Sequence, residues 1–293
     1  MKILFIGSVK FSKRCLEHLF NLKLEVVGVI TREHTGLNTD HADLQPLAES
    51  KGVPVLVTSN LNTSASLEWI EQYRPDIIFC FGWSNLLKAK ILKAAPLGVI
   101  GFHPAALPAN RGRHPLIWAL AMGLSETATT FFLMDEGADS GDIISQLCLR
   151  IDATDDAGTL YEKVIENALQ QLNEFIPNLI NGTVKPKKQN NNLANVWRKR
   201  SKKDGLIDWR MSAKTISNLV RALTRPYPGA EFLRNNVGIK IWQAEVITNV
   251  VNNIEPGKVI GGTPLAPIIK CGEDALKIIE FEPVISFNNE EYL

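Results

Sequence analysis

The first half of the chain alternates short apolar runs with stretches whose apolar residues fall at helical spacing. Residues 2–7 (KILFIG), 24–30 (LEVVGVI), 53–57, 76–81 (DIIFCF) and 98–102 (GVIGF) are short and bounded by Gly, Pro or polar positions, the pattern of buried strands. Residues 11–22, 44–51, 66–73 and 87–94 between them read as amphipathic helices. Repeated strand–helix alternation predicts a parallel sheet with helices on both faces. A helix over 114–123, strands over 128–134 and 142–151, and a long amphipathic helix over 158–179 then close a first domain.

The pattern changes at Asn181. The stretch NGTVKPKKQNNNLANVWRKRSKKDG is polar, basic and rich in Asn, which reads as a connector rather than core. Beyond it, a helix over 212–223 precedes short strands over 230–233, 239–250, 257–260, 268–271 and 275–281, the spacing of a small barrel. The expected fold class is α/β: a Rossmann-like, mostly parallel sheet over residues 1–181, a basic Asn-rich linker over 182–204, and a small, mainly β, OB-like domain over 205–293.

Composition adds limits rather than a function. The 293 residues are 45% apolar and 22% charged, enough for an ordinary core without disulfide or metal staples. Thirty-two Lys and Arg against 31 Asp and Glu leave a formal charge of +1, so no global field draws in a polyanion. Cys15, Cys80, Cys148 and Cys271 are scattered without C-x-x-C spacing, and three sit in apolar runs, which fits buried thiols in a reducing compartment. No run approaches the roughly 20 apolar residues of a membrane span, and the N-terminus lacks a signal-peptide pattern. The expectation is a cytoplasmic protein without a membrane partner.

A strand ending at Gly7 and running into a helix invites a dinucleotide-binding assignment. The sequence there is GSVKFS, not G-x-G-x-x-G, so Gly7 reads as a tight-turn glycine. An open α/β sheet still places a ligand crevice at the carboxyl ends of its strands. The chemistry-bearing residues fall at that edge. His103 ends the run GVIGF and precedes Pro104, which biases it towards extended geometry. Downstream, MDEGADSGD packs four acids and two glycines between two apolar strands. Either piece alone suits a turn as well as a site; together they suggest a His–carboxylate couple.

These segments, HPAALPANRG (residues 103–112) and MDEGADSGDII (134–144), resemble the signature of the N10-formyltetrahydrofolate-dependent formyltransferases. That family includes methionyl-tRNA formyltransferase, glycinamide ribonucleotide transformylase and the sugar N-formyltransferases. DGLIDW (204–209), NLVRAL (218–223) and PYPGA (226–230) also resemble the second domain of the tRNA and sugar branches, so the likeness covers nearly the whole chain. The resemblance implies His103 as general base, Asp139 as the catalytic carboxylate, and N10-formyltetrahydrofolate as co-substrate with no metal. It implies a pterin pocket between the loop of Asp135, Gly137, Ala138 and Asp142 and a second wall of Phe81, Trp83, Asn85, Leu86 and Leu87. Asp135 and Asp142 read mainly as loop-shaping caps.

One departure concerns the family Asn two residues before the His, whose amide steadies the oxyanion. Gly101 stands there, and losing one such donor costs about 10²–10³ in rate. Asn110, ahead of Asn85, is the expected substitute. The acceptor expected from the motif variant GFHP…NRGRHPLIWAL and the balanced charge is an amino-sugar nucleotide, UDP- or dTDP-linked, for surface-glycan or lipopolysaccharide precursors. Arg111, Arg113, Trp209 and Tyr227 are its expected contacts. Methionyl-tRNA is the alternative acceptor, through the basic run 198–203, and a non-catalytic folate-binding relic is the third reading. His114 reads as a helix-start residue. His34 and His41, with Asp40 and Asp43, read as a surface loop rather than a metal site. The sequence allows a homodimer.

Overall fold

The computed structural model describes residues 1–33 and 40–293. The chain divides into two compact units: residues 1–112, 127–149 and 162–197 form one, and residues 113–126, 150–161 and 198–293 the other.

The first unit is built on a seven-stranded sheet: β1 (Lys2–Ile6), β2 (Glu25–Thr31), β3 (Val55–Val57), β4 (Ile77–Cys80), β5 (Val99–His103), β7 (Glu126–Leu133) and β8 (Ile143–Arg150). Their order is β3-β2-β1-β4-β5-β7-β8. Strands β1 to β5 pair in parallel, as expected from apolar runs linked by helices α1 (Lys10–Asn21), α2 (Gln45–Glu49), α3 (Ser64–Tyr73) and α4 (Ala89–Leu92). The chain moves outward from β1 to β3 and then resumes on the other side at β4. The gap between the ends of β1 and β4 is therefore a topological switch point, where open sheets bind ligands. Register aligns those ends, with Ile6 beside Cys80 and Cys80 beside Gly101. β7 runs antiparallel to β5 and sets Phe132 across from Gly101.

The β1–α1 turn is locked to the end of β4. Ser12 Oγ accepts from the backbone N–H groups of Ser8 and Val9 and donates to the Phe81 carbonyl at 2.6 Å. A Cβ on Gly7 would lie 2.5 Å from that carbonyl, so glycine is required here for close approach rather than for a phosphate cradle. Phe81 itself is fully buried among Phe5, Phe79 and Phe131.

Residues 182–197 are not a free connector. Lys187 bridges to Ile143, and β9 (Val196–Trp197) pairs in parallel with β6 (Arg111–Gly112). Most of these side chains are exposed, so backbone and amide hydrogen bonds rather than apolar burial hold the segment.

The second unit contains α5 (Pro115–Ala121), which packs on α7 (Ala213–Leu223). Its five-stranded antiparallel sheet joins β10 (Ala230–Arg234), β11 (Val237–Ile247), β12 (Val259–Thr263), β13 (Ala266–Lys270) and β14 (Ala275–Glu282) in the order β10-β11-β14-β13-β12. Ser212 caps α7 through the Thr215 N–H. Asn235 and Asn236, both at positive φ (51° and 63°), make the tight β10–β11 turn. The long helix α6 (Ala157–Ile180) is apolar along one side and supplies Leu172, Phe175 and Ile176 to the first unit's core. No helix among the described residues is long and apolar enough to cross a membrane.

Candidate functional site

His103 is the last residue of β5 and only 5% exposed. Its Nε2 lies 2.7 Å from the Asn110 carbonyl oxygen. A carbonyl only accepts, so Nε2 is the N–H donor and, in the neutral ring, Nδ1 holds the lone pair. Asp139 Oδ2 stands 3.6 Å from Nδ1 and accepts the Gly112 N–H at 2.9 Å. At 3.6 Å there is no hydrogen bond, and the contact is attractive only when the ring carries a second proton, on Nδ1. His103 and Asp139 thus come together from the end of β5 and the loop after β7, the pairing the sequence suggested.

The Asp139 loop is held by residues the sequence reading passed over. Gln189 Nε2 donates to the Asp139 and Gly141 carbonyls (2.9 and 2.7 Å), and its Oε1 accepts from Arg111 Nη2 at 2.7 Å. Arg111 Nη2 also reaches Asn191 Oδ1 at 2.9 Å. Asn195 Oδ1 accepts the Asn110 N–H. Inside the loop, Asp135 Oδ1 accepts from Gly137 N and Ser140 Oγ, the shaping role expected for it. Gly137 and Ala138 are exposed on the loop tip, and Asp142 is half-buried, its carbonyl accepting the Leu133 N–H. Nothing in a polar, Asn-rich run signals that it braces the Asp139 loop.

A cavity of about 280 Å³ opens at the switch point, lined among others by Val9, Gly82, Trp83, Gly101, Met134 and Asp139. Its walls come from the ends of β1, β4 and β5 and from the Asp139 loop, with polar and apolar surface in nearly equal measure and the carboxylates of Asp40 and Asp139 among the lining groups. Cys80 also lines it, but burial pushes its thiol pKa up to about 12, which rules out thiolate chemistry at neutral pH.

The wall drawn from the sequence is shortened. Trp83 lines the cavity with Gly82 and Ser84, whereas Phe81 and Leu87 are core residues and Leu86 is 59% exposed. Asn85 points its amide at the Ser59 carbonyl. The oxyanion position is changed as well. A Cβ on Gly101 would sit 2.8 Å from Met134 Cγ and 3.0 Å from Phe132 Cζ, so a thioether and a ring fill the space an Asn would need. Neither Asn110 nor Asn85 lines the cavity. The contribution of Asn110 visible here is its carbonyl, which sets the His103 tautomer.

The expected acceptor contacts divide similarly. Arg111 is 8% exposed and committed to Gln189 and Asn191, so it braces the loop instead of meeting a ligand. Trp209, in the second unit, is 6% exposed and packed edge-on against Phe232, a core position. Tyr227 is half-buried and Arg113 exposed, both in that unit. There His114 begins α5 at φ 56°, as expected of a helix-start residue. Its pKa is lowered, first by burial and then by Arg113, Arg200 and Lys199. The basic run is largely occupied: Arg198 pairs with Asp204, Lys202 with Glu231, and Arg200 donates to the Asp204 carbonyl while stacking on Trp118. Among the described residues no group of three or more His, Cys, Asp or Glu could hold a metal ion; His41 bonds the Arg32 carbonyl, and His34 lies outside the described residues.

Comparisons with known proteins converge. Residues 1–176 match the family model described as formyl transferase, and residues 199–284 the model of its C-terminal domain. A methionyl-tRNA formyltransferase of Caldanaerobacter subterraneus is 33% identical over 287 residues, covering 96% of this chain and 92% of that protein. Among solved structures, an N-formyltransferase from Helicobacter canadensis, in complex with folinic acid and dTDP-3-aminofucose, has a TM-score of 0.73 at 19% identity and covers 95% of this chain and 98% of its own. HypX from Aquifex aeolicus in complex with tetrahydrofolic acid has a TM-score of 0.70 at 21% identity; this chain is 96% covered but spans only 44% of HypX. At these identities the structural likeness establishes the fold.

Proposed function

The chain belongs to the formyl transferase family, and from that premise we propose that it moves a formyl group from N10-formyltetrahydrofolate to the primary amine of an amino-sugar nucleotide. The observation that carries the reading is the His103–Asp139 couple at the edge of a cavity of about 280 Å³. The cavity suits the donor: Trp83, Phe102, Phe132 and Met134 offer apolar surface for a flat ring system, and the Asp139 loop offers backbone polar groups. When bound, the folate supplies an activated formyl carbon. The protein's part is to place the acceptor amine against it and manage the proton. His103 Nδ1 holds the available lone pair and takes the amine proton. Asp139 lies where a carboxylate offsets the charge the ring acquires, and the Gly112 N–H holds that carboxylate in place.

The sugar-nucleotide acceptor is favoured by the cation census. Binding tRNA needs several free cations that displace counterions from phosphates. Here Arg198, Arg200 and Lys202, three of the five cations in residues 198–203, are already engaged, and the net charge is +1. A diphosphate needs only one or two. Methionyl-tRNA is the second reading, supported by the 33% identical relative. The deciding experiment incubates the protein and N10-formyltetrahydrofolate with UDP- and dTDP-linked amino sugars and, separately, with methionyl-tRNA. Formylated sugar nucleotide with stoichiometric tetrahydrofolate is expected. Formyl-methionyl-tRNA without any sugar product would replace this acceptor, and folate binding without turnover on any acceptor would indicate a relic.

A further inference from the structure

At the carboxyl edge of the main sheet, beside the cavity, several polar atoms lack a partner. Arg32 follows the last residue of β2, and its Nε and Nη2 are sealed from solvent and find no acceptor among the described residues. Its guanidinium carbon lies 3.9 Å above the centre of the Trp83 ring. Trp83 Nε1 and the Thr31 hydroxyl are likewise buried and unpartnered. Among the described residues no carboxylate pairs with Arg32. The aromatic face satisfies the guanidinium's flat side but not its in-plane N–H donors. Burial lowers the Arg32 pKa from its ordinary value, with Cys80 opposing, so the fold retains this cation against a desolvation cost.

Buried polar groups are nearly always paired in native proteins, so donors that find no acceptor within the chain take theirs from water, an ion or a ligand. The location identifies its kind. Trp83 and Cys80 line the same cavity as Gly101 and Asp139, so Arg32 stands behind the wall of the reaction site. A guanidinium fork matches the two oxygens of a carboxylate or phosphate. We infer that Arg32, stacked on Trp83, is the anion-recognition group of the reaction cavity and takes a carboxylate or phosphate oxygen of a bound substrate. A reduced folate carries glutamate carboxylates and a sugar nucleotide carries a diphosphate, so either substrate can present the oxygen. The inference rests on the cavity being the place where the substrates meet.

Folinic acid, dTDP, UDP and inorganic pyrophosphate are titrated calorimetrically into the full chain and into its Arg32→Gln and Arg32→Lys variants, with melting temperatures measured in parallel. The expected result is a loss of about tenfold or more in Arg32→Gln for at least one probe, only partly restored in Arg32→Lys, whose ammonium keeps the charge but not the fork. The melting temperature of Arg32→Gln should stay near that of the parent, because the change relieves the desolvation of a buried charge while removing its stacking on Trp83. Loss confined to folinic acid assigns the donor's carboxylates; loss shared by dTDP, UDP and pyrophosphate assigns phosphate. Unchanged affinity for every probe, or no binding of any probe by the unmodified chain, overturns the inference. Uniform weakening with a lowered melting temperature overturns it in favour of a packing role. Failure of the catalytic assignment shows separately, as retained turnover in His103→Asn.

Discussion

Replacing Gly101 by Asn forces a side chain into space that Met134 and Phe132 already fill. The new Cβ would lie 2.8 Å from Met134 Cγ and 3.1 Å from its sulfur, well inside van der Waals contact. Overpacking of this kind costs about 1–3 kcal/mol, which for a domain of this size lowers Tm by roughly 3–9 °C. Met134 is half-buried, so Met134→Ala alone costs about 1–2 kcal/mol, less than full truncation of a core side chain. Because the two side chains compete for one space, Gly101→Asn/Met134→Ala should be no less stable than Met134→Ala, a coupling equal to the whole cost of Gly101→Asn, about 1–3 kcal/mol. Urea unfolding followed by far-UV circular dichroism gives all four corners of the cycle. If Gly101→Asn is as stable as the parent, or the two losses simply add, the shared-space argument is wrong. The cycle also reports on chemistry: an amide in that space can raise kcat, by at most about 10²–10³. A double variant no faster than Met134→Ala would show that another donor already serves.

Three further outcomes follow from the same geometry. Gln189→Ala removes two side-chain donors from the Asp139 and Gly141 carbonyls; at about 1 kcal/mol each, kcat should fall by up to about 30-fold while acceptor KM changes little, and an unchanged kcat in steady-state assays would exclude the bracing role. Trp209→Phe should leave acceptor KM unaltered, and Trp209→Ala should cost about 3–5 kcal/mol in denaturant titration, since the indole is core and its Nε1 has no partner to lose; a KM effect without a stability loss would return it to the substrate. His114 is held below its ordinary pKa in the folded state, so the unfolded chain takes up its proton first as pH falls. Stability attributable to the neutral ring is therefore present above the unfolded value, near 6.5, and declines as pH drops from there towards the folded value. Melting curves of His114→Gln should decline less than those of the parent between about pH 7 and pH 5, and parallel curves would contradict the assignment.

The sheet and its helices were legible because apolar runs bounded by Gly and Pro are direct consequences of burial on a parallel sheet. Every strand of that sheet was expected near where it lies, and so were the His103 and Asp139 loops. The antiparallel direction of β7 was not, because periodicity carries no strand direction. Residues 182–197 were read as a linker for a physical reason. Gln189, Asn191 and Asn195 act through amide hydrogen bonds, which leave no hydrophobic signature and look the same in sequence as solvation. Arg111, a cation beside the Asp139 loop, reads as a ligand contact until its partners prove to be neutral amides of the chain. Arg32 was missed because a lone Arg after a strand is unremarkable until its donors are found without acceptors.

The most direct test of the central claim is turnover by His103→Asn and Asp139→Asn alongside folinic acid binding by both. If the couple carries formyl transfer, kcat falls by about 10²–10⁴ in each while the folinic acid Kd stays near that of the parent. A His103→Asn enzyme that retains its turnover would contradict the account.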